Sequence, residues 1–287
     1  MNSDLPDNFG GLPEEFSNFE SSAVAVLPVP FDMTSSWLIG SDKGPQALID
    51  ASKHMELYDI ETRSEMYKRG IYTAPAIAAG SSSAMIKQTY AESKRLLEAG
   101  KFVVTLGGEH AISAAPIKAH AEKYGPLTIL QFDAHTDLRD SYEGDKLSHA
   151  SAMARSVECS GVERLVSVGI RAIDSSELGA IKPENTFFAE DIAGQQGWQE
   201  RVLARLGERV YVTFDLDVFE PGLMPSTGTP EPGGLGWYEV LKLLRMVAAE
   251  RTLVGFDVVE LMPSETNRAP DFVACKLVYK MLSYKFA

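Results

Sequence analysis

The chain has 287 residues, of which 45% are hydrophobic, and this is enough to bury a large core in one α/β domain. Its formal net charge of −13 disfavours nucleic acid and anionic membranes as partners, and no apolar run reaches the length of a membrane-spanning helix. The first basic residue is Lys43, so we expect no secretory or organellar targeting segment. Cys159 and Cys275 fall in separate predicted helices without a metal-binding spacing, which favours a reduced, cytoplasmic protein.

Residues 1–22 are polar, acidic and interrupted by Gly and Pro, which predicts a surface arm ahead of a single domain at 23–287. Apolar runs predict strands at 22–28, 102–106, 127–132, 164–169, 209–215 and 252–257, with a weaker one at 186–189. Helical periodicity predicts helices at 44–51, 81–99, 111–123, 195–206, 237–249 and 271–284. This alternation indicates a parallel sheet with helices on both faces.

Histidine and aspartate side chains stand at or just past the ends of three of these strands. They are His110, Asp133, His135, Asp137, Asp215 and Asp217. Alternate residues of an extended backbone share a face, so the spacing Asp-Ala-His-Thr-Asp points three ligand-type side chains the same way. The carboxyl ends of parallel strands gather at one edge of a sheet, so we expect all six side chains to meet there.

Two imidazoles and four carboxylates are too many for one tetrahedral zinc ion, and their hardness suits Mn²⁺, or alternatively Mg²⁺, Co²⁺ or Ni²⁺. A pair of metals bridged by carboxylates, about 3.5 to 4 Å apart, fits this number of ligands. Taken singly, Asp215 and Asp217 are explained equally well as turn residues, and His110 as a hydrogen-bonded histidine. Their joint occurrence on three strand ends favours a metal site.

Five short motifs, in this order, resemble those of the ureohydrolase family of arginases and agmatinases. They are Gly107–His110 (GGEH), Asp133–Asp137 (DAHTD), Ser148–Ser151 (SHAS), Asp215–Asp217 (DLD) and Thr227–Pro230 (TGTP). The resemblance implies a three-layer α/β/α sandwich around a mainly parallel eight-stranded sheet. It also implies hydrolysis of a guanidinium group to urea and an amine on two manganese ions per subunit, in a homotrimer or homohexamer.

The resemblance also implies which residues bind each metal. One manganese would be held by His110, Asp133, Asp137 and Asp215. The other would be held by His135, Asp133, Asp215 and Asp217. Asp133 and Asp215 would then bridge the two ions.

Further residues match substrate and proton-transfer positions of the family. His149 matches a proton shuttle beside the substrate, Glu260 a guanidinium-binding carboxylate, and Thr229 a pocket threonine. Asp137 would also orient the nucleophile, and Asp174 lies near the amine-recognising position. The ordinary explanations are a helix-start histidine for His149, an exposed loop acid for Glu260 and a helix cap for Asp174.

The loop 138–148 resembles agmatinases rather than arginases, because it lacks the Asn-, Ser- and Thr-rich sequence that binds an α-carboxylate. The acids Asp140, Glu143 and Asp145 in this loop favour a cationic substrate tail, whereas Arg139 can bind a carboxylate or pair with a neighbouring acid. We therefore predict hydrolysis of agmatine to putrescine and urea, a step of polyamine (putrescine and spermidine) biosynthesis. The alternatives are aminopropylagmatine, guanidinobutyrate or arginine as substrate, and a catalytically inactive metal-binding member.

Overall fold

The computed structural model describes residues 5–287, and its centre is one sheet of eight parallel strands. The strands are β1 (Val24–Val29), β2 (Ile71–Thr73), β3 (Phe102–Gly107), β4 (Leu127–Phe132), β5 (Val162–Ile170), β6 (Thr186–Phe188), β7 (Arg209–Asp215) and β8 (Thr252–Val259). Their order across the sheet is β2-β1-β3-β8-β7-β4-β5-β6, so the last strand of the chain lies between β3 and β7.

Nine α-helices flank the strands in the part of the chain that the structure describes. They are α1 (Glu14–Ser17), α2 (Gly44–Ser52), α3 (Ser82–Glu98), α4 (Ala114–Tyr124), α5 (Ala152–Val157), α6 (Ala189–Ile192), α7 (Trp198–Leu203), α8 (Trp237–Glu250) and α9 (Ala269–Phe286). One layer includes α2, α8 and α9, and another includes α3, α4 and α5. The predicted three-layer α/β/α sandwich is confirmed. No helix within residues 5–287 combines the length and apolarity that crossing a membrane requires.

Burial on both faces explains why the central strands are continuous apolar runs. Every residue of β1, β3 and β4 is buried, as expected for parallel strands covered by helices on both sides. Each fully buried Leu, Val or Phe side chain contributes about 1.5–3 kcal/mol to folding. Helix α4 approaches the sheet so closely that a Cβ on Gly255 would lie 2.2 Å from Nε2 of His120, so only glycine fits at that point of β8.

The described part of residues 1–22 is held against the core of the domain. Phe9 and Leu12 are fully buried, and the amide of Phe9 donates to Oγ1 of Thr73 at 2.9 Å. Nζ of Lys101 donates to the carbonyl of Ser22 at 2.6 Å. Two apolar side chains are enough to attach this mostly exposed or half-buried stretch to the core, and its description as an arm stays a prediction. Residues 1–4 lie outside the described residues, and the division at residue 23 stays a prediction.

Three predictions differ from the structure. Strand β2 was missed because it has only three residues and pairs only with β1. Cys159 lies after the end of α5 rather than in a helix, whereas Cys275 lies within α9 as predicted. The helix predicted at 195–206 is shorter and spans only α7, because Gly197 begins it with a positive φ of 77°.

Candidate metal centre and substrate cleft

Four strands that are neighbours in the sheet, β3, β8, β7 and β4, carry the predicted site at their carboxyl ends. His110 follows β3, Glu260 follows β8, Asp215 ends β7 and Asp133 follows β4. The strand order therefore brings together residues that are up to 150 positions apart in the chain, since His110 and Glu260 contact each other directly. This is the edge at which open parallel sheets place their ligands.

The imidazole of His110 faces three carboxylates through a single nitrogen. Its Nδ1 lies 3.1 Å from Oδ2 of Asp133, 2.9 Å from Oδ2 of Asp137 and 3.4 Å from Oδ2 of Asp215. All four side chains are buried. These are the four residues that the family resemblance assigns to one metal.

His135 forms the other half of the cluster. Its Nδ1 lies 2.9 Å from Oδ2 of Asp217 and 3.6 Å from Oδ1 of Asp133. Ligand atoms of His110, Asp133 and Asp137, and likewise of Asp133, His135 and Asp217, lie within 4.8 Å of one another. Asp133 belongs to both groups, as a bridging ligand would.

Hydrogen bonds determine which nitrogen of His110 carries the proton. Nε2 lies 2.9 Å from Oγ1 of Thr213, whose hydroxyl donates to Oδ1 of Asp257 at 2.7 Å. The Thr213 hydroxyl therefore accepts from Nε2–H, which leaves the lone pair on Nδ1 facing the carboxylates. Nδ1 has no hydrogen-bond partner within residues 5–287. A buried lone pair among carboxylates is unfavourable unless a cation lies between them, so this donor set fits a divalent metal.

Replacing Thr213 by valine should weaken metal binding about 10- to 100-fold, because the hydroxyl that orients His110 is lost while the side-chain volume is kept. Titration of the protein with Mn²⁺, followed by calorimetry, measures this affinity directly. Thr213→Ser keeps the hydroxyl and should bind within about threefold of the wild-type protein. Equal affinity in the valine and wild-type proteins would contradict the orienting role of Thr213.

Asp133 is held by donors as well as by the two histidines. The amide of His135 donates to Oδ1 at 2.6 Å, and Nε2 of Gln131 donates to Oδ2 at 2.8 Å. Oε1 of Gln131 in turn accepts from Oγ of Ser167 at 2.7 Å. Burial raises the pKa of Asp133, but the imidazoles of His110 and His135 beside it outweigh burial and hold the pKa well below its usual range.

Two other carboxylates of the cluster, Asp137 and Asp215, resist ionisation. Burial, with the neighbouring charge of Asp133, raises the pKa of Asp137 to about 6. Burial and the charges of Asp217 and Asp133 raise the pKa of Asp215 well above its ordinary value. Carboxylates packed this closely share protons unless a cation offsets their charge, so metal binding should release protons.

Asp137 and Glu260 both have backbone conformations that are rare for residues other than glycine. Their φ angles are +53° and +65°, and each such position costs on the order of 1–3 kcal/mol. Contacts compensate at both positions. The carbonyl of Asp137 accepts from the amides of Met153 and Ala154 at 3.0 Å, and the amide of Glu260 donates to the carbonyl of Gly108 at 2.7 Å. Strain of this kind concentrates at functional sites.

Glu260 is not the exposed loop acid of the alternative interpretation. Its side chain is half-buried, and Oε1 accepts from the amide of His110 at 2.6 Å. Burial, followed by the charge of Glu109, raises its pKa well above the ordinary value. A Cβ on residue 228 would lie 3.8 Å from Oε2 of Glu260. Because residue 228 is glycine, no side chain covers this side of the carboxylate.

A cavity of about 270 Å³ opens over the metal-type residues. Among its lining residues are His110, His135, Asp137, His149, Asp174, Asp215, Asp217, Thr229 and Glu260. Asp133 lies beneath this surface and is completely buried. The structure therefore brings every predicted site residue into one cavity or directly behind it.

His149 begins a 3-10 turn, His149–Ser151, that leads into α5, so the helix-start interpretation describes its backbone correctly. Its side chain nevertheless lines the cavity. The ring packs edge-to-face against Tyr142 at 5.5 Å between centroids. Burial, followed by the charges of His135 and His110, lowers the pKa of His149 to about 4, so its imidazole is neutral at pH 7.

Asp174 caps the turn Ser175–Glu177 and also lines the cavity, so both of its interpretations describe the structure. Its Oδ2 lies 3.7 Å from Nη2 of Arg139. The pairing of Arg139 with Asp140 or Glu143 that the sequence suggested is therefore wrong. Asp140 instead pairs with Lys146 at 3.1 Å and Arg155 at 3.2 Å.

Glu109 is a site residue that the sequence did not reveal. It is fully buried, and Oε2 accepts from the amides of Met33 and Thr34 at 2.9 and 2.6 Å. Oε1 accepts from the hydroxyl of Thr34 at 2.8 Å. Burial, partly offset by these hydrogen bonds, raises the pKa of Glu109 to about 7. Its place between two glycines and His110 in the strand-end motif was the only signal of its role.

These features define a class of protein, the parallel α/β enzymes that carry metal-binding residues at the carboxyl ends of their strands. The sequence profile of the Arginase family matches residues 22–283, and the chain belongs to this family, the ureohydrolases. The family resemblance that the five motifs indicated is thereby confirmed.

Relatives support the same grouping over almost the whole chain. An N(1)-aminopropylagmatine ureohydrolase of Synechocystis sp. is 36% identical, covering 97% of this chain and 96% of that protein. An agmatinase of Bacillus anthracis is 35% identical, covering 92% of each chain. The crystal structure of an agmatine ureohydrolase of Thermoplasma volcanium superposes with a TM-score of 0.86 at 26% identity, covering 98% of this chain and 94% of that one.

Proposed function

We propose that this ureohydrolase cleaves the guanidinium group of agmatine, releasing urea and putrescine. The observation that carries the proposal is the position of Glu260, whose carboxylate stands beside the cluster of histidines and aspartates in one cavity. A guanidinium stays protonated at physiological pH and pairs best with a carboxylate. The presence of Glu260 and His149 in this cavity supports an active enzyme over the inactive alternative.

The metals would be held by the six residues of the cluster. The mixed carboxylate and imidazole donors favour Mn²⁺, two ions per subunit, with Asp133 and Asp215 as bridges. When bound, such a pair lowers the pKa of water and so supplies a nucleophile at neutral pH. The unpartnered Nδ1 of His110, surrounded by carboxylates, supports this arrangement.

The protein's own groups bind the substrate and transfer protons. Glu260 binds the guanidinium and holds its carbon toward the metal cluster. Asp137 accepts a hydrogen bond from the nucleophile and thereby orients it. His149 is neutral at pH 7, so it can accept a proton and pass it to the departing amine. Thr229 lines the cavity and offers a hydroxyl to the substrate.

The outer part of the cavity supports a cationic substrate tail, although not through the acids that the sequence suggested. Asp140, Glu143 and Asp145 are not among the lining residues, and Asp145 is engaged with the hydroxyl of Ser82 at 2.8 Å. Two other partly exposed acids, Asp174 and Glu231, line the cavity against one cation, Arg139, whereas the lining acid Glu177 is buried and both its oxygens accept hydrogen bonds. This charge balance favours an ammonium over a carboxylate.

N(1)-aminopropylagmatine is a second candidate substrate, and a specific observation favours it. Three relatives that are 36–37% identical carry the name N(1)-aminopropylagmatine ureohydrolase. The half-exposed Asp174 at the cavity could pair with an additional cationic group of such a longer tail. Guanidinobutyrate and arginine have no corresponding support.

Substrate preference tests the proposal. We expect kcat/KM for agmatine or N(1)-aminopropylagmatine to exceed that for arginine by at least about 10²-fold, which corresponds to roughly 3 kcal/mol of unmatched polar contacts. Urea release with added Mn²⁺ should be measured for these three compounds and 4-guanidinobutyrate. If arginine or 4-guanidinobutyrate were hydrolysed with the same kcat/KM as agmatine, the proposed substrate preference would be wrong. Hydrolysis of a guanidinium group would still be the reaction.

We further propose a cytoplasmic enzyme of polyamine biosynthesis that assembles as a homotrimer or homohexamer. The two cysteines are both free, which supports a reducing compartment. Trp37 and Ile39 are 67% and 73% exposed in the loop that borders the cavity. Large exposed apolar side chains of this kind support burial against a second subunit.

A further inference from the structure

The loop 31–41, which borders the cavity, is fixed by two carboxylates. Asp32 accepts from the hydroxyl of Ser35 at 2.5 Å and from the amides of Gly40 and Ser41 at 2.6 and 2.9 Å. Glu109 accepts from the amides of Met33 and Thr34. A Cβ on Gly108 would lie 2.1 Å from the carbonyl oxygen of Phe31, so the strand end and this loop are in close contact.

Thr34 connects this anchored loop to His149. Its Oγ1 lies 2.8 Å from Oε1 of Glu109, 3.0 Å from the amide nitrogen of His149 and 3.2 Å from Nδ1 of the same histidine. A hydroxyl has one proton to donate and two lone pairs with which to accept. In its ionised form Glu109 takes the donated proton, and the His149 amide occupies one lone pair, which leaves one lone pair for the ring.

We propose that Thr34, held by Glu109, is a positioning residue that fixes His149 in the tautomer protonated at Nδ1. The ring then donates from Nδ1 to Thr34, and Nε2 is the atom that takes up and releases a proton. This inference rests on the proposed function in taking His149 as the proton carrier. It adds the two residues that orient it and the nitrogen that exchanges the proton.

The opposite tautomer is unfavourable for a reason of hydrogen bonding. With the proton on Nε2, the lone pair of Nδ1 would face an oxygen whose only proton is already donated to Glu109. Two acceptors would then lie 3.2 Å apart without a proton between them. Tyr142 contacts His149 through an edge-to-face ring contact, which holds the ring plane without distinguishing its two nitrogens.

Kinetics of three variants test the proposal. Thr34→Val keeps the shape and removes the hydroxyl, so kcat for urea release should fall about 10- to 100-fold while KM stays within about threefold. Thr34→Ser restores the hydroxyl and should return kcat to within about threefold. Thr62→Val is a matched control, because it removes a threonine hydroxyl from the buried carboxylate of Asp59 outside the cavity. Its kcat should match that of the wild-type protein.

Nitrogen NMR of ring-¹⁵N-histidine protein, loaded with diamagnetic Mg²⁺, reads the tautomer without reference to activity. The His149 signal is assigned by its loss in His149→Asn. In the wild-type protein Nδ1 should carry the proton, and Thr34→Val should shift the population toward the Nε2 form. A wild-type His149 protonated at Nε2 would overturn the proposal.

The kinetic outcomes also separate positioning from a purely structural role. A rise in KM with unchanged kcat in Thr34→Val, or a loss that Thr34→Ser does not restore, would overturn the proposal. If the wild-type protein released urea from no guanidino compound, the proposed function would fail. The NMR measurement would still decide whether Thr34 fixes the ring of His149.

Discussion

Asp133→Ala should lower kcat/KM for urea release by at least about 10³-fold, or about 4 kcal/mol. Asp133 is completely buried, and its two oxygens face different histidines, Oδ2 toward His110 and Oδ1 toward His135. Changing a residue that only orients a metal ligand lowers metal affinity or activity about 10- to 100-fold. Loss of a side chain shared by both halves of the cluster should lower kcat/KM further, because it weakens the binding of both metals. Steady-state urea release with added Mn²⁺ measures the effect.

Glu220→Ala is the matched control for this change. Glu220 is an acid near the end of β7 that lies outside the cluster, and its Oε2 accepts from the amides of Gly233 and Gly234 at 2.9 and 2.8 Å. Its loss should reduce kcat/KM less than about tenfold, because only loop hydrogen bonds worth about 1 kcal/mol each are removed. Losses of equal size in the two variants would mean that the metal centre lies elsewhere.

Removing divalent metal should abolish urea release, and adding Mn²⁺ should restore it. Every residue that would generate the nucleophile belongs to the metal cluster, and His149 and Glu260 supply only proton transfer and binding. The thermal unfolding midpoint should rise on adding Mn²⁺, because a ligand that binds only the folded state stabilises it. Full activity in rigorously metal-free protein would contradict the two-metal assignment.

This stabilisation by metal should be larger at pH 8 than at pH 6. In the metal-free protein burial opposes protonation of His110, but the carboxylates beside it outweigh burial and raise its pKa well above the ordinary value. Burial and Asp133 raise the pKa of Asp137 to about 6. At these two groups the folded metal-free protein binds more protons than the unfolded chain, so their contribution to stability falls as pH rises through about 6 and above.

Metal binding requires these same groups without their protons, so a rise in pH strengthens it. Both effects come from the same protons, so the increase in unfolding midpoint on adding Mn²⁺ should grow between pH 6 and pH 8 as the affinity for metal rises. Scanning calorimetry with and without metal at both pH values measures the difference. If Mn²⁺ raised the unfolding midpoint equally at both pH values, or more at pH 6, proton release from the cluster would be contradicted.

The parts of the fold and site that were predictable from the sequence depend on short-range patterns. The run Leu127–Phe132 followed by Asp133, His135 and Asp137 shows both a buried strand and what stands at its end, because strand periodicity is local. Strand β2 was missed because three residues on an edge position carry too little pattern. The burial of Phe9 was missed because it depends on a surface formed by distant residues.

Contacts between residues on different strands and loops could not be predicted from the sequence, for a physical reason. Thr213 contacts His110 only because β8, β7 and β3 are neighbours, and the sequence does not reveal strand order. Likewise, Thr34 is linked to Glu109 across 75 positions of the chain. The pairing of Arg139 with Asp174 followed from loop geometry that charge spacing along the chain did not indicate.

The position of β8 between β3 and β7 has a consequence for biosynthesis. During translation the first seven strands emerge before β8, so β3 and β7 cannot acquire their shared neighbour until residues 252–259 leave the ribosome. Pairings of such large sequence separation form late and slowly. His110, which follows β3, therefore reaches its final distance from Asp133 and Asp215 only after residues 252–259 have emerged, and shorter chains hold no complete metal centre.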